Sequence, residues 1–99
     1  MKGRFHRLAE KEFRLSVQWY LKRSKSTAIA FVNQVLALAE SCAENPLGFA
    51  AYDDAHRWAK VPGFPFVLYF RNPNRGQVDI VAVAHAHRRP GYWKRRKGI

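Results

Sequence analysis

Two stretches in the first half of the chain carry apolar residues at the spacing of an α-helix. Over residues 9–24 the apolar side chains recur every three or four positions and form one face: Phe13, Val17, Tyr20 and Leu21. Residues 28–43 are apolar almost all round, and Asn45-Pro46 ends this second segment. Two helices joined by so short a break predict an antiparallel helical hairpin.

In the second half of the chain the apolar period changes from 3.6 to 2, which indicates strands. The pattern predicts strands at 56–61, 64–71 and 77–85. It predicts turns between them at 62–63 ("PG") and 72–76 ("NPNRG"). A further short strand is expected in "RFHRLA" near the start. The order predicts one α+β domain over residues 1–99, β-α-α-β-β-β, with the helical hairpin packed on a small, mostly antiparallel sheet.

The alternation along these strands also predicts which residues share a face. Pairing Val61 with Phe64 and Arg71 with Gln77 collects the mostly apolar set that the helices should cover: Arg57, Ala59, Val61, Phe64, Phe66, Leu68, Phe70, Val78, Ile80, Ala82 and Ala84. The opposite, open face then carries His56, Trp58, Lys60, Val67, Tyr69, Arg71, Asp79, Val81, Val83 and His85.

The charge is distributed unevenly along the chain, whose net charge is +11. Residues 1–25 hold eight Lys or Arg against two acids, residues 26–55 hold four acids and no Lys or Arg, and residues 56–99 hold ten cations against Asp79. If the fold brings the two ends together, they form one basic surface. Such a surface attracts nucleic acid, a ribosome or an acidic protein.

Cys42 is the only cysteine, which excludes a disulfide framework and any cysteine-based zinc site. Its place in an apolar helical segment indicates a buried hydrophobic residue rather than a reactive thiol. No cofactor is expected, and a metal site is not expected either, because no carboxylate or third ligand follows His85 and His87 at a useful spacing, although His56 could lie on the same face. We find no signal peptide and no stretch long enough to span a bilayer, so the predicted location is the cytoplasm.

The segment "AVAHAHRRPGYW" at 82–93 closes the last strand with a dense basic and aromatic cluster. His85 and Lys60 are expected at the same edge of the sheet, where the following residues leave it. His85 has the reference pKa for proton transfer, but a structural role for a histidine at a strand end is equally compatible with the pattern. Trp93 is expected to hold the tail against the sheet.

The chain resembles the RelE/ParE superfamily, the toxins of type II toxin–antitoxin systems. The residues that carry the resemblance are "AEKEFRLSVQWY" in the first helix, "ENP" after the second, "GFPFVLYFR" in the middle strand and "AVAHAHRRPGYWKRR" at the end. The resemblance implies a helical hairpin on a small sheet, and an antitoxin that wraps the toxin and neutralises it. An acidic, amphipathic antitoxin segment is expected to cover Trp19, Tyr20 and Trp58.

Within this superfamily two mechanisms remain open. RelE-like members cleave mRNA on the ribosome and need acid–base residues, for which the candidates here are Lys60, His85, His87 and Tyr92. ParE-like members are associated with poisoning of DNA gyrase. The opening "GFPF" lacks the arginine typical of the nuclease branch and resembles the ParE-like branch more closely, whereas the charge of +11 favours a ribosomal or RNA partner.

The ParE-like interpretation is the one that we carry forward from the sequence. Its target, DNA gyrase, would be bound by a basic and aromatic set: Trp58, Arg88, Arg89, Tyr92, Arg95 and Arg96. A basic RNA-binding module without toxicity is the third alternative.

Overall fold

The computed structural model describes residues 3–74 and 77–98 of the chain. Its helices are α1 (Arg7–Leu21) and α2 (Lys25–Glu44), followed by a short 3₁₀ turn at Pro46–Gly48. Its strands are β1 (Gly3–Phe5), β2 (Ala50–Ala51), β3 (Arg57–Lys60), β4 (Phe66–Asn74) and β5 (Gln77–His85).

The five strands form one sheet in the order β1-β5-β4-β3-β2. Strand β1 pairs parallel with β5, and the other neighbours pair antiparallel. The predicted α+β class, with a helical hairpin on a small and mostly antiparallel sheet, is confirmed. The two-residue strand β2 is an addition that the sequence pattern did not indicate.

Both helices begin earlier than the apolar pattern predicts, because the groups that cap them lie outside the apolar runs. The side chain of His6 accepts a hydrogen bond from the amide of Leu8 at the start of α1. The hydroxyl of Ser24 accepts from the amide of Thr27 at the start of α2. The period of the apolar residues locates the buried face of a helix, whereas polar caps set its ends.

The main hydrophobic core lies between the helical hairpin and one face of the sheet, which we call the helix face. Its buried members come from both helices and from β3, β4 and β5: Ala9, Phe31, Val35, Ala39, Cys42, Ala43, Ala59, Val61, Phe66, Leu68, Phe70, Val78, Ile80 and Val83. Cys42 is fully buried among them, as expected, and burial raises the pKa of its thiol to about 12. A thiol in this state stays protonated and unreactive at neutral pH.

Helix α2 is long enough and apolar enough to cross a membrane by length and composition, so the expectation that no segment could do so is wrong. Its best 18-residue window has a mean hydropathy of 1.2, and 33% of that window is buried within the fold. The core helix of a soluble protein passes the same test. Here Phe31, Val35 and Ala39 of α2 face the main core.

The predicted faces of β3 and β4 are correct, but the faces predicted for the second half of β5 are wrong. Tyr69 pairs with Ala82 while Phe70 pairs with Ile80, so Val81 is an extra residue in β5, a β-bulge. The bulge reverses the alternation beyond it. Val83 therefore joins the main core and His85 follows it to the helix face, whereas Ala82 and Ala84 lie opposite Tyr69 and Val67 of the open face.

Candidate functional site

The chain after β5, residues 86–98, turns back across the sheet, and we call this segment the C-terminal tail. The turn is held by the amide of Ala86, which donates to the carbonyl of Pro65 at 2.8 Å, and by the amide of Arg88, which donates to that of His85 at 2.9 Å. Gly91 has φ of +80°, a conformation that other residues adopt only with strain. This glycine allows the chain to reverse before the two aromatic residues that follow it.

Trp93 fixes the tail to the open face, as predicted, and is only 1% exposed. Its ring stacks on Tyr69 with centroids 4.4 Å apart, and it meets Tyr52 at 5.1 Å and His56 at 4.7 Å. Together with Val81 it belongs to a second, smaller hydrophobic cluster. The open face is thus covered in part by the protein's own C-terminal segment.

Glu12 of α1 accepts four hydrogen bonds, one from β5 and three from the tail. Its Oε1 accepts from the amide of Val83 at 3.0 Å and from Nη1 of Arg96 at 2.9 Å. Its Oε2 accepts from the hydroxyl of Tyr92 at 2.6 Å and from Nη2 of Arg96 at 2.8 Å. The Arg96–carboxylate pair is bidentate, the strongest common form of this interaction. We call Glu12, Tyr92 and Arg96 the Glu12 cluster.

This cluster forms because β1 is too short to cover the whole outer edge of β5. The pairing of β1 with β5 ends at Phe5 opposite Ile80, and the next polar backbone groups along β5 need other partners. The carboxylate of Glu12 takes the amide of Val83, and Nη1 of Arg96 donates to the carbonyl of Val81 at 2.9 Å. Side chains thus complete the edge that a longer strand would have paired.

The end of the tail is held by backbone carbonyls. Arg71 donates from Nη1 to the carbonyl of Arg96 at 3.1 Å and from Nη2 to that of Gly98 at 3.0 Å. Nε2 of His6 lies 3.1 Å from the carbonyl of Lys97. The tail therefore runs back along the sheet from the end of β5 to Arg71 of β4 and to His6, which follows β1.

The protonation states of the Glu12 cluster follow from its geometry. Burial, with the hydrogen bond to Glu12 and its negative charge, raises the pKa of Tyr92 well above the ordinary value. The hydrogen bond to Glu12 likewise raises the pKa of Arg96, against the opposing effect of burial. Tyr92 is therefore a proton donor in a hydrogen bond at neutral pH, and Arg96 stays charged.

Three tail arginines form no hydrogen bond to Glu12 among the described residues, and we call Arg88, Arg89 and Arg95 the outward cations. All three are exposed. The guanidinium of Arg88 stacks over the ring of Tyr92 at 3.9 Å, which orients it without neutralising it. Within the part of the chain that the structure describes, Arg89 and Arg95 have no ion-pair partner.

Beside the tail lies an apolar groove of about 470 Å³ between α1 and the end of the sheet. Its lining residues are Glu12, Leu15, Ser16, Trp19, Tyr20, Pro65, Phe66, Val83, His85 and Arg88. Leu15 and Trp19 are about half exposed, at 51% and 52%. The guanidinium of Arg23 lies 3.5 Å from the Trp19 ring centre, so a cation lies at this end of the groove as well as at Arg88.

The four candidate acid–base residues do not form one constellation. Lys60 extends from β3 on the open face and donates to the carbonyl of Phe64 at 3.4 Å. His85 is on the helix face, with its ring against Phe66, and its Nδ1 accepts from the amide of His87 at 3.2 Å. Tyr92 is bonded to Glu12. Only the rings of His85 and His87 are neighbours, with centroids 5.2 Å apart.

The three residues expected to bind an antitoxin separate into two surfaces. Trp19 and Tyr20 are adjacent in the groove, with their rings edge to face at 5.1 Å. Trp58 is on the open face, opposite Tyr69 in the neighbouring strand and 39% exposed. One straight segment cannot cover all three residues, because the sheet lies between them.

The sequence analysis missed Glu12 and Arg71 as parts of the site. Glu12 lies between Leu8 and Leu15 on one side of α1, and an acid that borders an apolar helical face within a basic segment is the signal that points to a partner. Arg71 was expected on the open face, but no sequence signal indicated that the tail returns along the sheet as far as this residue. Among the described residues, no three His, Cys, Asp or Glu side chains are grouped so that they could hold a metal ion.

Comparison with known proteins identifies the fold. No protein-family model and no curated protein matches the chain. A solved structure described as the chromosomal ParDE TA system from P. aeruginosa contains a chain similar to this one, with a TM-score of 0.74 and 14% sequence identity. The match covers 88% of this chain and 97% of that chain. The fold expected from the RelE/ParE resemblance is therefore the fold that this protein has.

Proposed function

We propose that this protein is the toxin component of a type II toxin–antitoxin module and arrests bacterial growth when free of its antitoxin. It acts in the cytoplasm by ParE-like poisoning of DNA gyrase, which it binds through the outward cations and Trp58. The observation that carries this proposal is the C-terminal tail. On a fold shared with a chain of a ParDE system, a basic segment is held against the sheet while three of its cations are exposed and have no ion-pair partner among the described residues.

The placement of the charges supports docking rather than proton transfer. A general acid or base must lie within hydrogen-bond reach of the proton that it moves, and the members of one site must converge. Lys60 and His85 lie on opposite faces of the sheet, and the hydroxyl of Tyr92 is bonded to a carboxylate. Docking requires only charge and shape on one surface, which the outward cations provide.

The nuclease alternative rests on one specific observation, the neighbouring rings of His85 and His87 beside Arg88. Two imidazoles and a guanidinium could serve a ribosome-dependent mRNA endonuclease as acid, base and phosphate ligand. We keep this second candidate because a ribosome could add the groups that the free protein does not assemble. The third candidate, a non-toxic RNA-binding module, is favoured only by the net charge of +11.

The antitoxin is proposed to be acidic and amphipathic, because it would cover both apolar and basic surface. Leu15, Trp19 and Tyr20 offer the apolar contact, and Arg88 and Arg23 lie near its two ends. A partner that binds only the folded toxin raises its melting temperature. Trp19→Ala should reduce that increase, and equal melting of the free and mixed proteins at saturating partner would contradict the proposal.

The primary experiment is growth inhibition with a charge-matched control. Expression of residues 1–99 should arrest growth, and co-expression of an acidic protein encoded beside the gene should restore it. Arg88→Ala, Arg89→Ala and Arg95→Ala together should raise the toxic dose about tenfold or more, because all three charges act on association. Lys11→Ala, Lys22→Ala and Lys25→Ala together remove the same charge from exposed positions in or next to the helices and should leave the toxic dose nearly unchanged.

The target is identified with purified toxin. We expect cleaved DNA trapped with gyrase and intact mRNA on translating ribosomes. His85→Ala and His87→Ala should each retain most of the toxicity, whereas loss of a true acid or base costs about 10²–10⁴-fold in rate. Codon-positioned mRNA cuts that disappear with either histidine change would establish the nuclease candidate instead. Normal growth at confirmed expression would favour the non-toxic module.

A further inference from the structure

The C-terminal tail contains six Lys or Arg and no acid, so it has no charge partner within itself. Mutual repulsion of these cations favours an extended, detached segment, and ordering it costs conformational entropy. Among the described residues, the tail's guanidinium groups form one close ion pair, between Arg96 and Glu12 at 2.8 Å. The side chain of Glu12 is 17% exposed and that of Arg96 is 13% exposed. This pair is thus largely removed from solvent.

The Glu12 cluster and Trp93 hold the tail from two directions. Trp93 inserts its ring between Tyr52, Tyr69 and His56 on the open face. The residues on either side, Tyr92 and Arg96, reach instead over the edge of β5 to the carboxylate of Glu12. A segment held both on a face and at an edge cannot rotate about either contact.

The same contacts orient the outward cations. Arg88 stacks on Tyr92, whose hydroxyl is bonded to Glu12. Arg95 directly precedes Arg96, which is bonded to Glu12 with both of its terminal nitrogens. Two of the three outward cations are therefore positioned through residues that Glu12 binds, although Glu12 itself is on a helix some eighty residues earlier in the chain.

We propose that Glu12 is the positioning residue of the target-binding tail. It does not touch the target, but it orders residues 92–98 and so presents the outward cations as one surface. The proposal rests on the proposed function for its effect on toxicity. It also reassigns Tyr92 and Arg96, which hold the tail in place rather than contact the target.

The test uses Glu12→Gln, which keeps the size of the side chain and removes its charge. Glu10→Gln is the matched control, because Glu10 is on the same helix, exposed, and paired only with Arg14 among the described residues. In a Trp19→Phe, Trp58→Phe background, Trp93 is the sole tryptophan and its fluorescence reports the tail. We expect Glu12→Gln to shift Trp93 emission to the red and Glu10→Gln to leave it unchanged.

Two further measurements follow the same variants without the tryptophan changes. Amide hydrogen exchange in residues 92–98 should become about tenfold faster or more in Glu12→Gln, while exchange in the middle of α2 stays as in the wild type. The toxic dose should rise about tenfold or more for Glu12→Gln and stay unchanged for Glu10→Gln. A variant that lost toxicity by global unfolding would also exchange rapidly in α2, which this comparison detects.

A double-mutant cycle separates positioning from direct contact. Once Glu12→Gln has released the tail, Arg96→Ala should raise the toxic dose no further, whereas Arg95→Ala should still raise it. If Arg96→Ala adds its full effect in the Glu12→Gln background, Arg96 contacts the target and the reassignment is wrong. If Glu12→Gln does not fold, Tyr92→Phe removes one bond to the carboxylate and should shift the same readouts less, in the same direction.

Different results would contradict the role of Glu12 in ordering the tail and the proposed function as a toxin. Wild-type Trp93 emission and tail exchange in Glu12→Gln would overturn the role of Glu12, whatever the toxicity. A wild-type protein that is not toxic at confirmed expression would overturn the proposed function, while the emission and exchange measurements would still decide whether Glu12 orders the tail.

Discussion

The two faces of the same sheet are covered in different ways. On the helix face, two helices bring a large apolar cluster against β3, β4 and β5, with Phe31 in contact with Phe64 and Phe66. On the open face, a short tail covers a cluster whose buried members are Val81, Ala82 and Trp93. The helix face is closed by many apolar contacts, whereas the tail is held by one buried indole ring and by hydrogen bonds to Glu12, Arg71 and His6.

This difference predicts which face opens first. Segments with few buried apolar contacts open locally at a lower free energy than the core, and binding segments are drawn from that low-stability part of proteins. The bonds of the Glu12 cluster join residues 71 to 84 positions apart in the chain, so they form only after the sheet and α1 are in place. We therefore expect the tail to detach while the helix face stays closed.

The largest expected effect is the difference between Phe31→Ala and Trp93→Ala in the regions where hydrogen exchange becomes faster. Removal of a buried aromatic side chain costs about 3–5 kcal/mol in the free energy of unfolding. Because Phe31 lies in the main core, its loss should speed hydrogen exchange throughout α2 and the sheet. The loss of Trp93 should speed exchange mainly in residues 86–98, since the tail can leave the sheet without unfolding it.

Urea unfolding followed by hydrogen exchange checks this contrast. Leu47→Ala is the control, because Leu47 is 74% exposed and its truncation should change the free energy of unfolding by no more than about 0.5 kcal/mol. Equal exchange patterns for Phe31→Ala and Trp93→Ala would mean that the two faces unfold as one unit, and the distinction between them would be lost.

A smaller effect is expected from Tyr92→Phe on the tail side. A hydrogen bond to a charged group contributes about 1.5–3 kcal/mol. Because Glu12 keeps three other hydrogen-bond donors in this variant, we expect the free energy of unfolding to fall by about 1.5 kcal/mol, the lower end of that range. The matched change Tyr52→Phe removes a hydroxyl from the same aromatic cluster but breaks no hydrogen bond found among the described residues. If the two variants lose the same stability in urea unfolding, the Tyr92–Glu12 bond contributes nothing specific.

The smallest expected effect is a loss of stability at acid pH, when the Asp53 carboxylate beside His56 is protonated. Asp53 accepts hydrogen bonds from the amides of Ala55 and His56 and lies 2.9 Å from Nδ1 of His56, which packs on Trp93. Burial acts to raise the pKa of this carboxyl, but the hydrogen bonds, led by that of His56, lower it below its ordinary value. The stabilisation is thus present above the unfolded pKa, near 4, and is lost as the pH falls through the folded value.

We expect the free energy of unfolding of the wild type to fall below about pH 4 more steeply than that of Asp53→Asn, by a few tenths of a kcal/mol. Asp54→Asn, at an exposed neighbouring position, should behave as the wild type. Urea unfolding at a series of pH values measures the difference. Identical pH profiles for the wild type and Asp53→Asn would show that this carboxylate does not support the tail side.

The sequence predicted the helices and strands of this protein better than the pairing register of β5 with β4. Apolar period locates the buried faces of α1, α2, β3 and β4, because each face is defined by residues close together in the chain. It failed in β5, where "IVAVA" is apolar on both faces and carries no polar residue to mark the register. The bulge at Val81 and the side assigned to His85 follow from pairing with β4, which is not encoded in β5 alone.

The sequence predicted only the part of the candidate site that depends on residues close together in the chain. The role of Trp93 and the basic character of the tail can be read from residues 86–98, since an indole beside so many cations suits neither a solvated tail nor a core strand. The division of those cations into outward and positioning groups cannot be read there. Arg95 and Arg96 are adjacent and chemically identical, and only the carboxylate of Glu12 distinguishes them.

By itself, then, the sequence determined the α+β class, the helical hairpin, the apolar face of each helix and a basic end anchored by Trp93. The tertiary structure alone decided that β1 stops at Phe5, that the open edge of β5 recruits Glu12 and Arg96, and that His85 and Lys60 lie on opposite faces. The physical reason is that periodicity records interactions between near neighbours, whereas an unpaired strand edge is completed by whatever donor and acceptor the fold brings to it.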